Sequence, residues 1–365
     1  HLLAQVRGQV ERGHAVRVAY LLGKGTLRPD FLAAGAQEVT LVGKSPLALW
    51  NLRRSLRWCD VVHTHLLRAD FLGALAATIW GKRSVLVSGK HNDERALQRP
   101  WVARLHGLIG RLPRRTIVLS EHVGRYMHTV GKLPVESMVC IYYGIDPAPF
   151  AQAHAERSRL RPALLQEFGW QAEDVVWICV ARLAPQKAHD VLLQALRQAV
   201  DAWTQRGEAG RLRLWIVGDD PFGEGMARVR GWASEAGLLQ DGSCVLTGIR
   251  RDVPALLAAS DGFVMPSRWE GLGLVFLEAM AAGLPILATD VSAIPEVVLP
   301  RETGELVPVD DPQSLAETMV EWSRNPQQRA RMGAAGQARV RTAFGLPTMV
   351  DRTLEVYRSL IPPRP

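Results

Sequence analysis

Apolar positions along the chain alternate between two rhythms: short β-branched runs of period two and longer stretches of period three to four. A helix-spaced stretch runs from Leu2 through Val10 and stops at Gly13. Strand patterns follow at 16–22 and 39–42, with a short helix or loop at 27–34 between them. The segment 47–58 is amphipathic and carries Arg53, Arg54 and Arg57 on its polar side. A strand at 60–65, a small-residue helix at 71–80, a buried strand at 84–88 and a loop at 90–94 come next. A helix at 101–111, a strand at 116–119, a helix from Glu121 and a strand at 138–142 complete the first series.

Pro147 and Pro149 mark the exit from this series, and a connecting helix is expected at 157–168. The second series begins with a strand at 175–181, a helix at 188–203 and a strand at 212–217. A helix at 225–236, a strand at 245–247, a helix at 253–259 and a strand at 262–265 follow. A helix then opens near Gly273 or Leu274, ahead of strands at 286–288 and 304–307. Helices at 312–324, 326–344 and 347–360 close the chain, with 362–365 as a frayed end. Strands alternating with helices predict an α/β protein of two Rossmann-like, doubly wound parallel-sheet domains. The expected limits are 1–147 and 148–345, with a last helix in 346–365 returning to the first domain.

At 365 residues, the length suits two domains. With 47% hydrophobic and 22% charged residues the composition is that of a soluble globular chain. No apolar run is long enough for a membrane helix, and no secretory leader pattern is present. Cys59, Cys140, Cys179 and Cys244 stand alone without metal or disulfide spacing, so a reduced cytoplasmic setting is expected. The charge is uneven. Residues 1–147 hold 21 Lys and Arg against 10 Asp and Glu, whereas the remainder holds 23 against 26. A basic first half suggests an anionic partner such as a membrane surface. Nucleic acid is not expected, because the aromatics do not interleave with the basic residues.

In an open parallel sheet, ligands bind beyond the carboxyl ends of the strands, and the residues with chemical potential fall there. Arg182 and Lys187 follow the strand at 175–181, where both can reach one anion; as isolated residues they could equally be solvated loop cations. Gly218 and Asp219 follow the strand at 212–217, and Gly248 and Ile249 follow the next; each is also compatible with a plain turn. His65 and His91 sit at strand ends of the first domain, although a lone His is more often structural. Glu270 lies in the turn before the helix at Leu274, and Glu278 lies eight positions later among apolar residues. A carboxylate there is costly unless it is hydrogen-bonded, and it leans back toward the turn, whose N–H groups and helix dipole suit phosphate. The competing reading stays open at this point: Glu270 caps the helix and Glu278 pairs with a surface Arg. There is no phosphate-binding P-loop, no dinucleotide fingerprint, no nucleophile elbow and no metal-ligand spacing.

Five stretches in order, C-V-A-R-L-A-P-Q-K-A, W-I-V-G-D-D-P, L-T-G-I-R-R-D-V, A-A-S-D-G-F-V-M-P-S and E-G-L-G-L-V-F-L-E-A-M-A-A-G-L-P-I-L-A-T-D, carry a resemblance. The chain resembles the retaining GT-B glycosyltransferases of the large bacterial group-1, family-four type. That likeness implies two domains facing a cleft and transfer of a hexosyl unit from a UDP- or GDP-sugar to a glycan or lipid-linked acceptor. The resemblance also implies polysaccharide or glycolipid synthesis at the inner face of the membrane. It implies that Arg182 and Lys187 bind the diphosphate and that Glu270 contacts the donor sugar. The N–H groups of Gly271, Leu272, Gly273 and Leu274 would face its hydroxyls or phosphates, and Glu278 the ribose. His91, with His65 as second choice, matches the histidine that touches the transferred sugar. No cofactor and no metal are expected. Family members begin with a strand and glycine-rich loop that would precede His1, and Tyr142-Tyr143 stands where Pro-Asn is common. A catalytically silent sugar-nucleotide-binding relative and a nucleotide-sugar 2-epimerase are the alternatives.

Overall fold

The computed structural model describes residues 1–21, 25–43, 47–80, 85–220 and 223–361. The last residue expected in the strand at 16–22, the first of that at 84–88, the side chain of Arg54 and the expected frayed end at 362–365 lie outside these residues. The chain forms two compact units, His1–Ile145 with Phe344–Pro365, and Asp146–Ala343.

The first unit runs α1 (Leu2–Glu11), β1 (Arg17–Tyr20), α2 (Arg28–Ala33), β2 (Glu38–Leu41), α3 (Leu47–Trp58), β3 (Val62–His65), α4 (Leu67–Ile79) and β4 (Leu86–Lys90). It continues with α5 (Pro100–Ile109), β5 (Arg115–Val118), α6 (Glu121–Thr129) and β6 (Met138–Cys140). β1 and β2 pair in parallel as one sheet, and β3-β4-β5-β6 form a second parallel sheet in that order. The fourth strand begins and ends about two residues later than its apolar run suggests, so Lys90 belongs to β4 and not to the loop. The last helix, α16 (Leu346–Arg358), lays Met349, Val350 and Leu354 against Val87, Ile117 and Ile141. It also crosses α1 closely: a Cβ on Gly8 would stand 2.7 Å from Val350 Cγ2, so only glycine permits this approach. Arg12 Nε donates to Asp351 Oδ1 at 2.5 Å beside the crossing. The two points where the chain leaves and re-enters this unit are bonded neighbours: Ile145 N donates to Phe344 O, and Leu346 N to Ile145 O, both at 3.0 Å.

The second unit starts with α7 (Ala148–Ala155) and α8 (Arg157–Glu167). Only the second of these was expected. Pro147 and Pro149 look like breakers, yet a helix tolerates Pro in its first turn, where the missing N–H has no partner to lose. There follow β7 (Val175–Val180), α9 (His189–Gln205), β8 (Leu212–Val217), α10 (Gly225–Glu235), β9 (Cys244–Gly248), α11 (Val253–Ala259) and β10 (Gly262–Met265). Then come α12 (Leu274–Ala281), β11 (Ile286–Thr289), α13 (Ile294–Val297), β12 (Gly304–Val307), α14 (Pro312–Arg324) and α15 (Pro326–Ala343). All strands are parallel, in the order β12-β11-β10-β7-β8-β9. The sheet grows from β7 to one side through β8 and to the other from β10, so the connections diverge between β7 and β10. That divergence opens a crevice at their carboxyl ends, where open α/β sheets bind ligands.

Candidate functional site

The loops that meet at the β7/β10 switch point hold most of the residues singled out in the sequence. After β7 the chain makes a 3-10 turn at Pro185–Lys187, then Ala188 takes a left-handed conformation (φ 49°) before α9 begins. This turn sends the Lys187 side chain inward, where its Nζ bonds Glu270 Oε1 from the loop after β10. Both residues are buried, 8% and 6% exposed. Ser267 Oγ donates to the same carboxylate at 2.9 Å, Thr289 Oγ1 holds Ser267 O at 2.5 Å, and Gln186 Nε2 holds Trp269 O at 2.7 Å. Arg268 ties the loop down from outside through Asp190 (2.7 Å) and Asp310 (2.8 Å). Arg182 is exposed and touches only Gln186 Oε1, at 3.4 Å, through its guanidinium among the described hydrogen bonds. Its carbonyl accepts from His189 Nε2 at 3.2 Å, and burial pushes the His189 pKa down to about 4.

Glu270 does not cap α12. The cap is Gly273, in a left-handed conformation (φ 79°) with no side-chain bond, so the competing reading of this turn falls. The second half of that reading falls as well. The Glu278 carboxylate has no hydrogen-bond or ion-pair partner among the described residues, and its burial raises its pKa.. Gly271 and Leu272 are buried, and Leu274 opens the helix, whose first N–H groups face the loop. Gly218 has a different reason to be glycine than ligand approach: a Cβ there would stand 1.9 Å from Ala181 O. Gly248 has φ 70° and accepts from Gly218 N at 3.0 Å, while Ile249 is 70% exposed at the same edge. The structure thus brings Lys187, Glu270 and, through Gln186, Arg182 together, and leaves Glu278 as a half-buried carboxylate in the adjoining helix.

In the first unit, His63 and His65 share one face of β3, and His91 follows the end of β4. His65 Nδ1 and His91 Nε2 are 2.9 Å apart, within a hydrogen bond. His91 Nδ1 meets Tyr143 Oη at 2.5 Å, and His63 Nδ1 meets Tyr357 Oη at 2.6 Å. The rings of His63 and His65 lie 4.1 Å apart and those of His65 and His91 5.0 Å apart. Burial drives the pKa of His91 to about 4 and that of His63 to about 3, and pushes His65 well below its usual value. These imidazoles are neutral at physiological pH, and both nitrogens of His91 are engaged, by His65 and Tyr143, so a ligand reaches this ring only by displacing one of them.

Several groups around these sites were missed. Nothing in the sequence assigns His63 or Tyr143 a role at the site. Behind His91 lies a buried network: Lys90 Nζ donates to Asp70 Oδ2 at 2.5 Å and to His106 Nε2 at 3.0 Å. Thr64 Oγ1 and Ser88 Oγ donate to Asp70 Oδ1 at 2.6 and 2.9 Å. His106 Nδ1 donates to Gly131 O at 2.6 Å, which leaves Nε2 free to accept from Lys90. The alternation Ser88, Lys90 in an otherwise apolar strand was the available signal for this network.

Two family models match the chain. Glycosyltransferase Family 4 covers residues 1–149, and Glycosyl transferases group 1 covers residues 161–339. Among relatives, the D-inositol 3-phosphate glycosyltransferase of Streptomyces scabiei is 30% identical over 82% of this chain and 67% of its own length. A GDP-mannose-dependent monoacylated alpha-(1-6)-phosphatidylinositol monomannoside mannosyltransferase of Corynebacterium glutamicum is 32% identical over 59% of this chain. That match spans about half, 55%, of the relative. Among solved structures, Anabaena HepE in complex with UDP and glucose superposes with a TM-score of 0.85 at 22% identity, over 98% of this chain and 95% of that one. A glycosyltransferase from Rickettsia africae gives 0.82 at 18%, over 99% and 94%. The fold is GT-B, and the chain belongs to the group-1 glycosyltransferases.

Proposed function

We propose that the chain moves a hexosyl unit from a nucleotide-diphosphate sugar to an acceptor hydroxyl with retention of configuration. The observation that carries this reading is the convergence of Lys187 and Glu270 at the β7/β10 switch point, with Arg182 beside them. As the glycosidic bond breaks, negative charge gathers on the departing diphosphate, and preset cations there lower the barrier. Lys187 and Arg182 take that charge, so this reading needs no divalent metal for transfer. Glu270, whose second oxygen is not used by Lys187 or Ser267, holds the donor sugar, with the N–H groups of Gly271 to Leu274 on its hydroxyls or phosphates. Glu278 accepts from the ribose hydroxyls, Gly248 and Ile249 flank the base, and His91 hydrogen-bonds the transferred sugar. The acceptor enters on the face the diphosphate leaves, and a phosphate oxygen takes its proton.

The names of the Streptomyces and Corynebacterium relatives and the UDP and glucose of the Anabaena structure support a UDP- or GDP-sugar donor and a glycolipid or glycan acceptor. We place the work at the cytoplasmic face of a membrane, in cell-surface glycan synthesis. No helix among the described residues is long and apolar enough to cross a membrane. Exposed Trp50, Trp101, Leu105 and Leu108 on α3 and α5, beside Arg53, Arg57 and Arg104, support surface attachment. The test is to incubate the full chain with UDP-glucose or GDP-mannose and phosphatidylinositol, following the product by mass spectrometry and its anomeric configuration by NMR. Nucleotide binding without transfer to any acceptor overturns the enzymatic reading, and an inverted product overturns retention.

A further inference from the structure

Gly89 faces His65 across the parallel β3–β4 ladder, and its missing side chain leaves a small gap. A Cβ placed there would stand 2.8 Å from His65 Nδ1, 3.0 Å from His63 Nε2 and 3.1 Å from His91 Nε2. Three ring nitrogens therefore converge on one point from which the chain withholds even a methyl group. The ligand atoms of His1, His65 and His91 also all lie within 4.8 Å of one another. The adjoining cavity measures about 20 Å³, room for a single small occupant.

We propose that His1, His65 and His91 form a binding site for one divalent transition-metal ion of the zinc class, with the His63 ring as a further ligand. The distances suit it. Bonds of about 2.0–2.1 Å at tetrahedral angles separate neighbouring nitrogens by roughly 3.4 Å. The His65–His91 pair stands at 2.9 Å, so a small ring movement admits the ion. The outer contacts suit it as well. Metal-bound imidazoles present their other nitrogen to a fixed polar partner, and here His91 Nδ1 lies on Tyr143 Oη and His63 Nδ1 on Tyr357 Oη. His63 Nε2 is buried and has no hydrogen-bond partner, which a metal bond would supply. An all-imidazole set selects zinc, nickel or copper over magnesium or calcium, which require oxygen. Coordination requires the proton between His65 and His91 to sit elsewhere, on His91 Nδ1 and His65 Nε2, a change of tautomer only. A metal on His91 Nε2, with Tyr143 on Nδ1, leaves that ring no nitrogen for a sugar hydroxyl, so an occupied site and the sugar contact proposed above exclude one another.

The experiment titrates the chelator-treated full chain with ZnCl2 by calorimetry and with CoCl2 by visible absorption. Expected are one Zn2+ per chain at micromolar or tighter affinity and the intense band of tetrahedral Co2+. His65→Ala and Gly89→Ala should each weaken binding by at least about 10-fold, while His14→Ala, on an exposed residue, leaves it unchanged. Circular dichroism checks that each variant folds; if Gly89→Ala does not, His63→Gln takes its place. Absence of stoichiometric Zn2+ binding to the parent chain overturns the proposal. Equal affinity in the His65 or Gly89 variant does so too, as does an octahedral Co2+ spectrum.

Discussion

The ammonium group of Lys187 is bonded to the carboxylate of Glu270 across 83 residues of sequence, and both side chains are almost wholly enclosed. Taking both charges from water is expensive, and the pair persists because each offsets the other. In the proposed reaction a donor diphosphate would meet here a cation already oriented by a carboxylate, with Ser267 fixing that carboxylate in turn.

Removing one member strands the other. Lys187→Ala should abolish most transfer and also lower stability by about 3–5 kcal/mol, because Glu270 is left buried and unpaired. Lys187→Met combined with Glu270→Gln should recover much of that stability and none of the activity. Urea denaturation beside a transfer assay checks both; a Lys187→Ala chain as stable as the parent contradicts the account.

Glu278 has no hydrogen-bond or ion-pair partner among the described residues, and in the proposed function its partners are ribose hydroxyls. Glu278→Ala should weaken nucleoside diphosphate binding by about 10–100-fold, the range for hydrogen bonds to a charged group. Because burial raises its pKa, affinity should also decline toward acid pH as the carboxyl takes up a proton. Calorimetry with UDP and GDP at several pH values measures both effects. Unchanged affinity in the variant removes Glu278 from the nucleotide.

Tyr143 Oη meets His91 Nδ1, so in the proposed reaction it acts through that ring. Tyr143→Phe should reduce turnover by roughly 10-fold without changing nucleotide affinity, and His91→Ala should reduce it further. If Tyr143→Phe lowers nucleotide affinity and leaves turnover intact, the hydroxyl has a different task.

Acid should weaken both units. His106 and His189 are buried and neutral, with pKa values of about 4 against 6.5 for an exposed imidazole. Between those values the unfolded chain binds more protons than the folded one, so stability falls as pH drops from about 6.5 toward 4. The stabilisation is complete above that window. Melting temperatures across pH 4 to 8 test this, and His106→Gln should reduce the response of the first unit, leaving the share of His63, His65 and His91. A melting temperature constant over the window refutes it.

Membrane attachment has a direct measurement. The chain should sediment with vesicles containing phosphatidylglycerol at low salt and be released at high salt. Replacing Trp50 and Trp101 by Ser should halve the bound fraction or more. No sedimentation at low salt ends the idea.

The alternation of strands and helices was legible because period two and period 3.6 differ over even a few residues, and the loops at the strand ends followed from the parallel sheet. The chemistry within those loops was only partly legible. A helix cap stayed open as the competing reading of Glu270 because an acidic residue ahead of a helix is often one; its bond to Lys187 depends on the order of strands, which local spacing does not encode. Tyr143 stands 52 residues from His91, and Tyr357 stands 294 from His63. Lys90 was placed in a loop because a charged residue rarely belongs to a buried strand without a partner, and its partner, Asp70, lies on a separate helix. At Gly218 the sequence hid a packing requirement: the carbonyl of Ala181, beyond the neighbouring strand, leaves no room for a Cβ.

The hydrogen-bonded meeting of Ile145 with Phe344 and Leu346 has a consequence for synthesis. The second unit is one uninterrupted run of chain, so it can finish folding while the ribosome is still at work. The first unit cannot. Its helix α16, which covers Val87, Ile117 and Ile141, is translated only after the second unit, so those strands must wait uncovered through the making of some two hundred residues. Chaperone demand during expression should therefore fall on the first unit, and a permuted gene in which α16 directly precedes α1 should relieve it.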